Sequence, residues 1–266
     1  MPALPQLDWQ HYLAAWVLVM LRVSALAVFA PVFSSDAIPK AVKVTLVGTT
    51  SLLLAPVAAS MTAAHAEIGF AAILGELAVG LVFGLTLLLL AEVALFAGQV
   101  VGLQFSFSLV NLLDPNTSIQ TPIFGQLFSL LLTTGLVVSG LHRILLEALI
   151  RSFASVPVGT AIFKGKIAIS LVTMGSGIFL AAIQLSAPVL AATMLVEIAI
   201  ALVGRLSPSL PVMNITIPAK TFTGYVVLLG SLALWPRFFE MRFTALLDVA
   251  QRLVAQMATC GGAAIR

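Results

Sequence analysis

Glu76-LAVGLVFGLTLLLLA-Glu92, residues 76–92, sets fifteen consecutive uncharged residues between two carboxylates. Outward from this run, apolar residues continue to Ile68 on one side and Leu103 on the other. A bilayer core of about 30 Å is crossed by roughly 20 helical residues. A straight helix over Ile68–Leu103 would reach roughly 50 Å at about 1.5 Å per residue. The segment is therefore expected either to fold back as a hairpin or to extend past the lipid.

The rest of the chain shares this character. Its 266 residues are 61% hydrophobic and 9% charged, with a mean hydropathy of +1.14. Soluble domains run near 45–50% apolar and about a quarter charged, so the excess must face lipid or apolar partners. The fold class is all-α: a polytopic integral membrane protein built of bent helices and helical hairpins. It is read as one membrane-embedded domain over residues 1–266, with an amphipathic tail over 237–266.

Candidate membrane segments are Tyr12–Phe33, Val42–Met61, Ile68–Leu103, Ile123–Leu141, Ile167–Gly204 and Ala219–Trp235. The first has no basic leader and no evident cleavage site, and reads as a retained helix. Ile167–Gly204 is also too long for a simple crossing, and Gly175, Gly177 and Pro188 are candidate break points. Basic residues gather at Lys40/Lys43, at Arg143–Lys166 and after Arg237. Placing all three clusters on the cytoplasmic side requires Ile68–Leu103 to count twice.

Two stretches are amphipathic. Leu145, Leu146, Leu149, Ile150 and Phe153 recur at helical spacing, opposite an Arg143/Glu147/Arg151 charge ladder. Phe239, Phe243, Leu246, Leu247, Ala250, Leu253, Val254 and Met257 do the same in the tail, opposite Asp248 and Arg252. Each suits either a membrane interface or a docking partner.

The net charge of +3 suggests no nucleic-acid surface, and the single Cys260 precludes an intrachain disulfide. His11, His65 and His142 lack carboxylate or cysteine neighbours at ligand spacing. No phosphate-cradling loop with a lysine is present. No enzyme, cofactor or metal site is expected. What remains are ionisable groups in apolar runs: Arg22, Glu76, Glu92 and Glu197. Such groups are costly in lipid and face protein, a partner or water. Each reads either as part of a proton or ion path or as a helix-end or polar packing contact, and spacing reveals no pairing among them.

The stretch "NLLDPNTSIQTP", residues 111–122, interrupts the apolar centre. Asp114-Pro115 favours a turn, because proline fixes its own φ and disfavours helix before it. Asn116, Thr117 and Ser118 offer side-chain to backbone bonds, and Pro122 suits a helix start.

Four stretches taken together resemble the FliR family of type III export-gate proteins. They are "RVSALAVFAPVFSSDAIPKAVKVTLVGTTSLLLAP" (22–56), residues 75–132 with their Gly-x-Gln, Asp-Pro and following glutamine, "SGLHRILLEALIRSFASVPVG" (139–159), and "GRLSPSLPVMNITIPAKTFTG" (204–224). Two departures stand out: Leu141-His142 where flagellar members often carry adjacent histidines, and a Pro208-to-Asn214 spacing slightly longer than usual. The resemblance implies a non-enzymatic subunit of the flagellar export gate in the bacterial inner membrane, at the flagellar basal body. Its implied partners are FliP-like, FliQ-like and FlhB-like membrane subunits, membrane lipid and unfolded flagellar export substrates. It also implies a loop that projects into the channel and helps plug it at rest. That loop would be built from Gln104, Phe105, Phe107, Asn111, Asp114, Pro115 and Gln120, with Phe105 and Phe107 bulky enough to fill a narrow pore. The homologous injectisome (SctT) subunit is the nearest alternative. A stand-alone secondary transporter, with broken helices in each half, is the alternative from another class.

Overall fold

The computed structural model describes residues 9–30, 39–61, 68–105, 123–162, 165–207, 209 and 211–258. All regular structure among them is helical: α1 (Trp9–Phe29), α2 (Lys40–Met61), α3 (Phe70–Gln104), α4 (Ile123–Val138), α5 (Leu141–Ser155), α6 (Gly165–Ser176), α7 (Ile178–Leu206), α8 (Val212–Ser231) and α9 (Trp235–Met257). A single 3₁₀ turn, Leu232–Leu234, joins the last two. By length and composition five stretches can cross a membrane, and α4 with α5 adds a sixth if the pair counts as one bent span.

Of the two forms expected for Ile68–Leu103, the hairpin is absent and the long helix is found: α3 is one uninterrupted helix of 35 residues. It contains no proline, and its glycines serve close packing rather than turning. A Cβ on Gly80 would lie 2.2 Å from the Arg22 carbonyl oxygen, and one on Gly98 would lie 2.4 Å from that of Phe124. Three apolar elements rather than four then separate Lys40/Lys43 from the basic cluster at Arg143. The even count needed to put all the basic clusters on one side is not supplied here.

The second long segment is interrupted at a single residue, Gly177 between α6 and α7. Its backbone stays in the right-handed helical region, so Ile169–Leu206 reads as one span; Pro188 stays inside α7. Residues 212–218, ahead of the candidate segment Ala219–Trp235, are already the first turns of α8, with Pro218 inside the helix. Proline is tolerated in membrane helices when neighbouring groups re-satisfy the freed carbonyl. The apolar run after Ile123 stops at Gly140, whose φ of 72° lies in the left-handed region open to glycine.

The chain divides into two compact units. The first comprises Met1–Leu89, Gly140–Gly175 and Phe243–Arg266; the second comprises Leu90–Ser139 and Ser176–Arg242. The first unit's core draws on Leu18 and Val19 of α1, Val82 and Phe83 of α3, Leu149 and Phe153 of α5, and the later part of α9. There Phe243, Leu247, Ala250, Val254 and Met257 are all buried. Their spacing is the apolar stripe of an amphipathic helix, and Met257 O accepts a hydrogen bond from Ile162 N at 3.0 Å. This stripe is docked on protein. On α5, Leu145, Leu149 and Phe153 are buried, while Leu146 and Ile150 are exposed. The apolar face of α5 is thus narrower than the sequence suggests.

In the second unit, α7 and α8 form an antiparallel hairpin. Glu197 meets Lys220 near its middle, and Gly204 abuts Val212 near its tip.

Candidate functional site

Arg22 and Glu76 meet in the interior of the first unit, 54 residues apart in sequence, both with side chains 0% exposed. α1 brings the guanidinium to α3 because Gly80 lets the two backbones approach closely. Arg22 Nε donates to Glu76 Oε2 at 2.6 Å, Nη1 donates to Ser152 Oγ at 3.0 Å, and Nη2 donates to the Val156 carbonyl at 3.1 Å. The guanidinium carbon lies 4.4 Å from the centre of the Phe153 ring, a cation–π distance. Ser152 Oγ in turn donates a hydrogen bond to Leu149 O at 2.6 Å. The second Glu76 oxygen accepts from Gly159 N at 2.8 Å. Gly159 has φ of 82°, which favours glycine there.

One ion pair therefore ties α1, α3, the C-terminal end of α5 and the turn that follows it. Val156 caps α5, so its carbonyl lies at the negative end of the helix dipole, where a cation is favoured. Burying two charges is costly unless geometry and further hydrogen bonds compensate. Here both carboxylate oxygens and all three kinds of guanidinium nitrogen are engaged. The cluster is a closed polar knot.

The second unit holds the other groups. Lys220 Nζ donates to Glu197 Oε1; the lysine side chain is 11% exposed and the glutamate side chain 46%. Spacing gave no hint of this pair, although Lys220 lies inside the candidate membrane segment Ala219–Trp235. Four residues before Glu197, Thr193 is buried, and its hydroxyl lies 3.4 Å from Gln104 Oε1. Glu92 is exposed on α3, with no ion pair among the described residues.

Phe105 is 3% exposed. Its ring stacks on Tyr225 with centroids 4.8 Å apart and meets Phe124 edge-on at 5.1 Å. Gly224 makes the room: a Cβ there would lie 2.0 Å from Phe105 Cε1. Phe107, Asn111, Asp114, Pro115 and Gln120 lie outside the described residues.

The partners that sequence reasoning missed are Ser152, Phe153, the Val156 carbonyl and Gly159 around Arg22, Lys220 beside Glu197, and Gly224 with Tyr225 beneath Phe105. A lone lysine in an apolar stretch was the one usable signal. The others become visible only once helices are packed. Among the described residues, no three His, Cys, Asp or Glu side chains are grouped to hold a metal.

A family model described as "Bacterial export proteins, family 1" matches residues 13–246. The flagellar biosynthetic protein FliR of Escherichia coli (strain K12) is 24% identical over 254 residues, covering 94% of this chain and 96% of that protein. FliR of Bacillus subtilis (strain 168) is 27% identical, over 81% of this chain and 85% of its own length. FliR of Buchnera aphidicola subsp. Acyrthosiphon pisum is 28% identical, over 79% and 81% respectively.

Proposed function

We propose a function from one premise: this chain belongs to family 1 of the bacterial export proteins. It is a subunit of the flagellar type III protein export gate. It forms part of the channel through which unfolded flagellar subunits cross the bacterial inner membrane, and its role is not catalytic. The observation that carries this reading is the family match over residues 13–246, joined to flagellar relatives aligned over nearly the whole chain. The all-α polytopic architecture supports it. Its partners in the membrane are FliP-like, FliQ-like and FlhB-like chains, within the flagellar basal body. The chain acts in that assembly as a single membrane-embedded domain.

We further propose that the connection between α3 and α4 is the resting plug of the channel. Phe105 is its fixed root, gripped by Tyr225 and Phe124. Phe107 and the residues after it act as the stopper, and Asp114-Pro115 stiffens the turn. Gln104, half-buried beside Thr193, anchors the same root.

The test has two parts. Native mass spectrometry of the C-terminally tagged chain, extracted in mild detergent from its own cell, is expected to give a large heteromer with smaller helical membrane chains. A lone monomer or homodimer would refute the gate reading. Removal of residues 110–120 is expected to leave assembly intact while raising resting ion conductance of the membrane. Unchanged conductance would sink the plug. An in-frame gene deletion is expected to abolish swimming; loss of effector secretion with swimming intact would instead indicate an injectisome.

A further inference from the structure

Among the described residues 90–105 of α3, Leu90, Ala94, Ala97 and Val101 are 0% exposed, and Val93 and Phe105 are 3% exposed. Only Glu92, Gln99 and Leu103 are exposed. Steps of seven and four residues return to nearly the same helical azimuth, so the three fall within an arc of about 40°. This half of α3 is exposed along one line only, flanked by the partly exposed Leu95, Phe96 and Val100, and that line is led by a carboxylate and a carboxamide. Glu92 has no ion pair among the described residues.

The exposed line on α7, in the same unit, has the opposite chemistry. Met194, Leu195, Ile198, Leu202 and Leu206 are uncovered and apolar; of the charges beside them, Glu197 is paired with Lys220 and Arg205 stands in the last turn of the helix, at its end. A surface of that kind suits lipid. A stripe headed by an unneutralised carboxylate does not, because ionised groups at membrane depth are retained only against protein or water. Glu92 lies twelve residues from the end of α3, roughly 18 Å along the axis, too far for its short side chain to reach past the helix end.

We infer that the Glu92–Gln99–Leu103 stripe faces the water-filled conduit and is the surface this subunit shows to a passing polypeptide. The inference rests on the export-channel reading and deepens it by assigning one helix face. An extended chain in transit offers backbone N–H groups and basic side chains. A carboxylate and a carboxamide about two turns apart can accept hydrogen bonds from these without trapping the chain, because water competes for both.

The experiment uses the assembled complex in its own membranes, with Cys260→Ser as background. Glu92→Cys, Gln99→Cys, Leu103→Cys and, on α7, Leu195→Cys are made singly. Membranes opened on both sides are exposed to a charged, water-soluble methanethiosulfonate and, separately, to a lipid-soluble maleimide. The charged reagent is expected to modify Gln99→Cys and Glu92→Cys at least tenfold faster than Leu195→Cys. If the stripe reacts only with the lipid-soluble maleimide, it faces lipid and the inference is overturned. If it reacts with neither reagent but cross-links to another chain, it is a dry subunit interface, which also overturns it. Leu103→Cys keeps the test decisive should a polar substitution prevent accumulation.

Co-isolation of other membrane chains is scored on the same samples. Its loss alongside fast labelling refutes the export-gate reading and leaves a hydrated stripe. Its presence alongside slow labelling overturns the stripe alone.

Discussion

The two buried or half-buried ion pairs use the same chemistry in different surroundings. Arg22 and Glu76 are wholly enclosed, and their remaining hydrogen-bonding capacity is met by Ser152, Val156 and Gly159. Glu197 and Lys220 sit on a two-helix hairpin with nearly half of the glutamate side chain uncovered. In the first unit this pair is resolved internally, so it serves the fold. The second unit leaves Glu92 and Glu197 at its surface, where whatever surrounds the chain must accommodate them. Packing also varies along the chain: α3, which both units share, is 56% buried over its most apolar stretch, and Ile169–Leu206 only 11% over its own.

The strongest way to break the comparison is Arg22→Ala. Glu76 would be left as a buried, unpaired carboxylate, and such losses run about 3–5 kcal/mol. Accumulation in the membrane and thermal stability in detergent are expected to collapse. Arg22→Met combined with Glu76→Leu is expected to recover much of the loss, since a volume-matched apolar pair removes both charges. If the double variant is no better than the single, the knot has a role beyond packing.

Gly80→Ala comes next. Its Cβ would meet the Arg22 carbonyl, a backbone atom that cannot swing aside. Overpacking typically costs about 1–3 kcal/mol, and the upper end is expected here by thermal melting. Gly224→Ala in the second unit sharpens the contrast. Its Cβ meets the Phe105 ring, a side chain with some freedom to tilt, so a smaller loss is expected in the same measurement. Equal losses would mean that Phe105 is held as rigidly as a helix backbone.

Lys220→Met should lower the melting temperature of the detergent-purified chain by less than a third of the Arg22→Ala effect, because the exposed Glu197 can be solvated. A comparable loss would place Glu197 in a drier setting than its exposure indicates. Smallest of all is Glu147→Ala. The Glu147–Arg151 bridge of 2.6 Å is exposed on both sides, and exposed helix pairs of this spacing contribute about 0.3–0.5 kcal/mol.

Much of the fold was legible because its signals are local. Long uncharged runs imply membrane helices, and the 3.6-residue recurrence in α9 marks the face that is buried. The same reasoning left α3 open between a hairpin and a helix running past the lipid, because length alone does not say whether anything breaks the helix, and its glycines are sites of close approach. It also overread the breaking power of proline at Pro188, where helix continues on either side.

By itself the sequence determined the helical membrane class, the amphipathic faces of α5 and α9, and the likeness to the export family, all carried by composition, short-range period and ordered motifs. Only the tertiary structure decided which charges meet. Arg22 finds Glu76 at a separation of 54 residues and Ser152 at 130, and Lys220 finds Glu197 across a hairpin. Such pairings depend on the rotation and register of one helix against another. Those are set by close contacts such as Gly80 on α1, Gly98 on α4 and Gly224 on Phe105, which no local pattern along a single helix encodes.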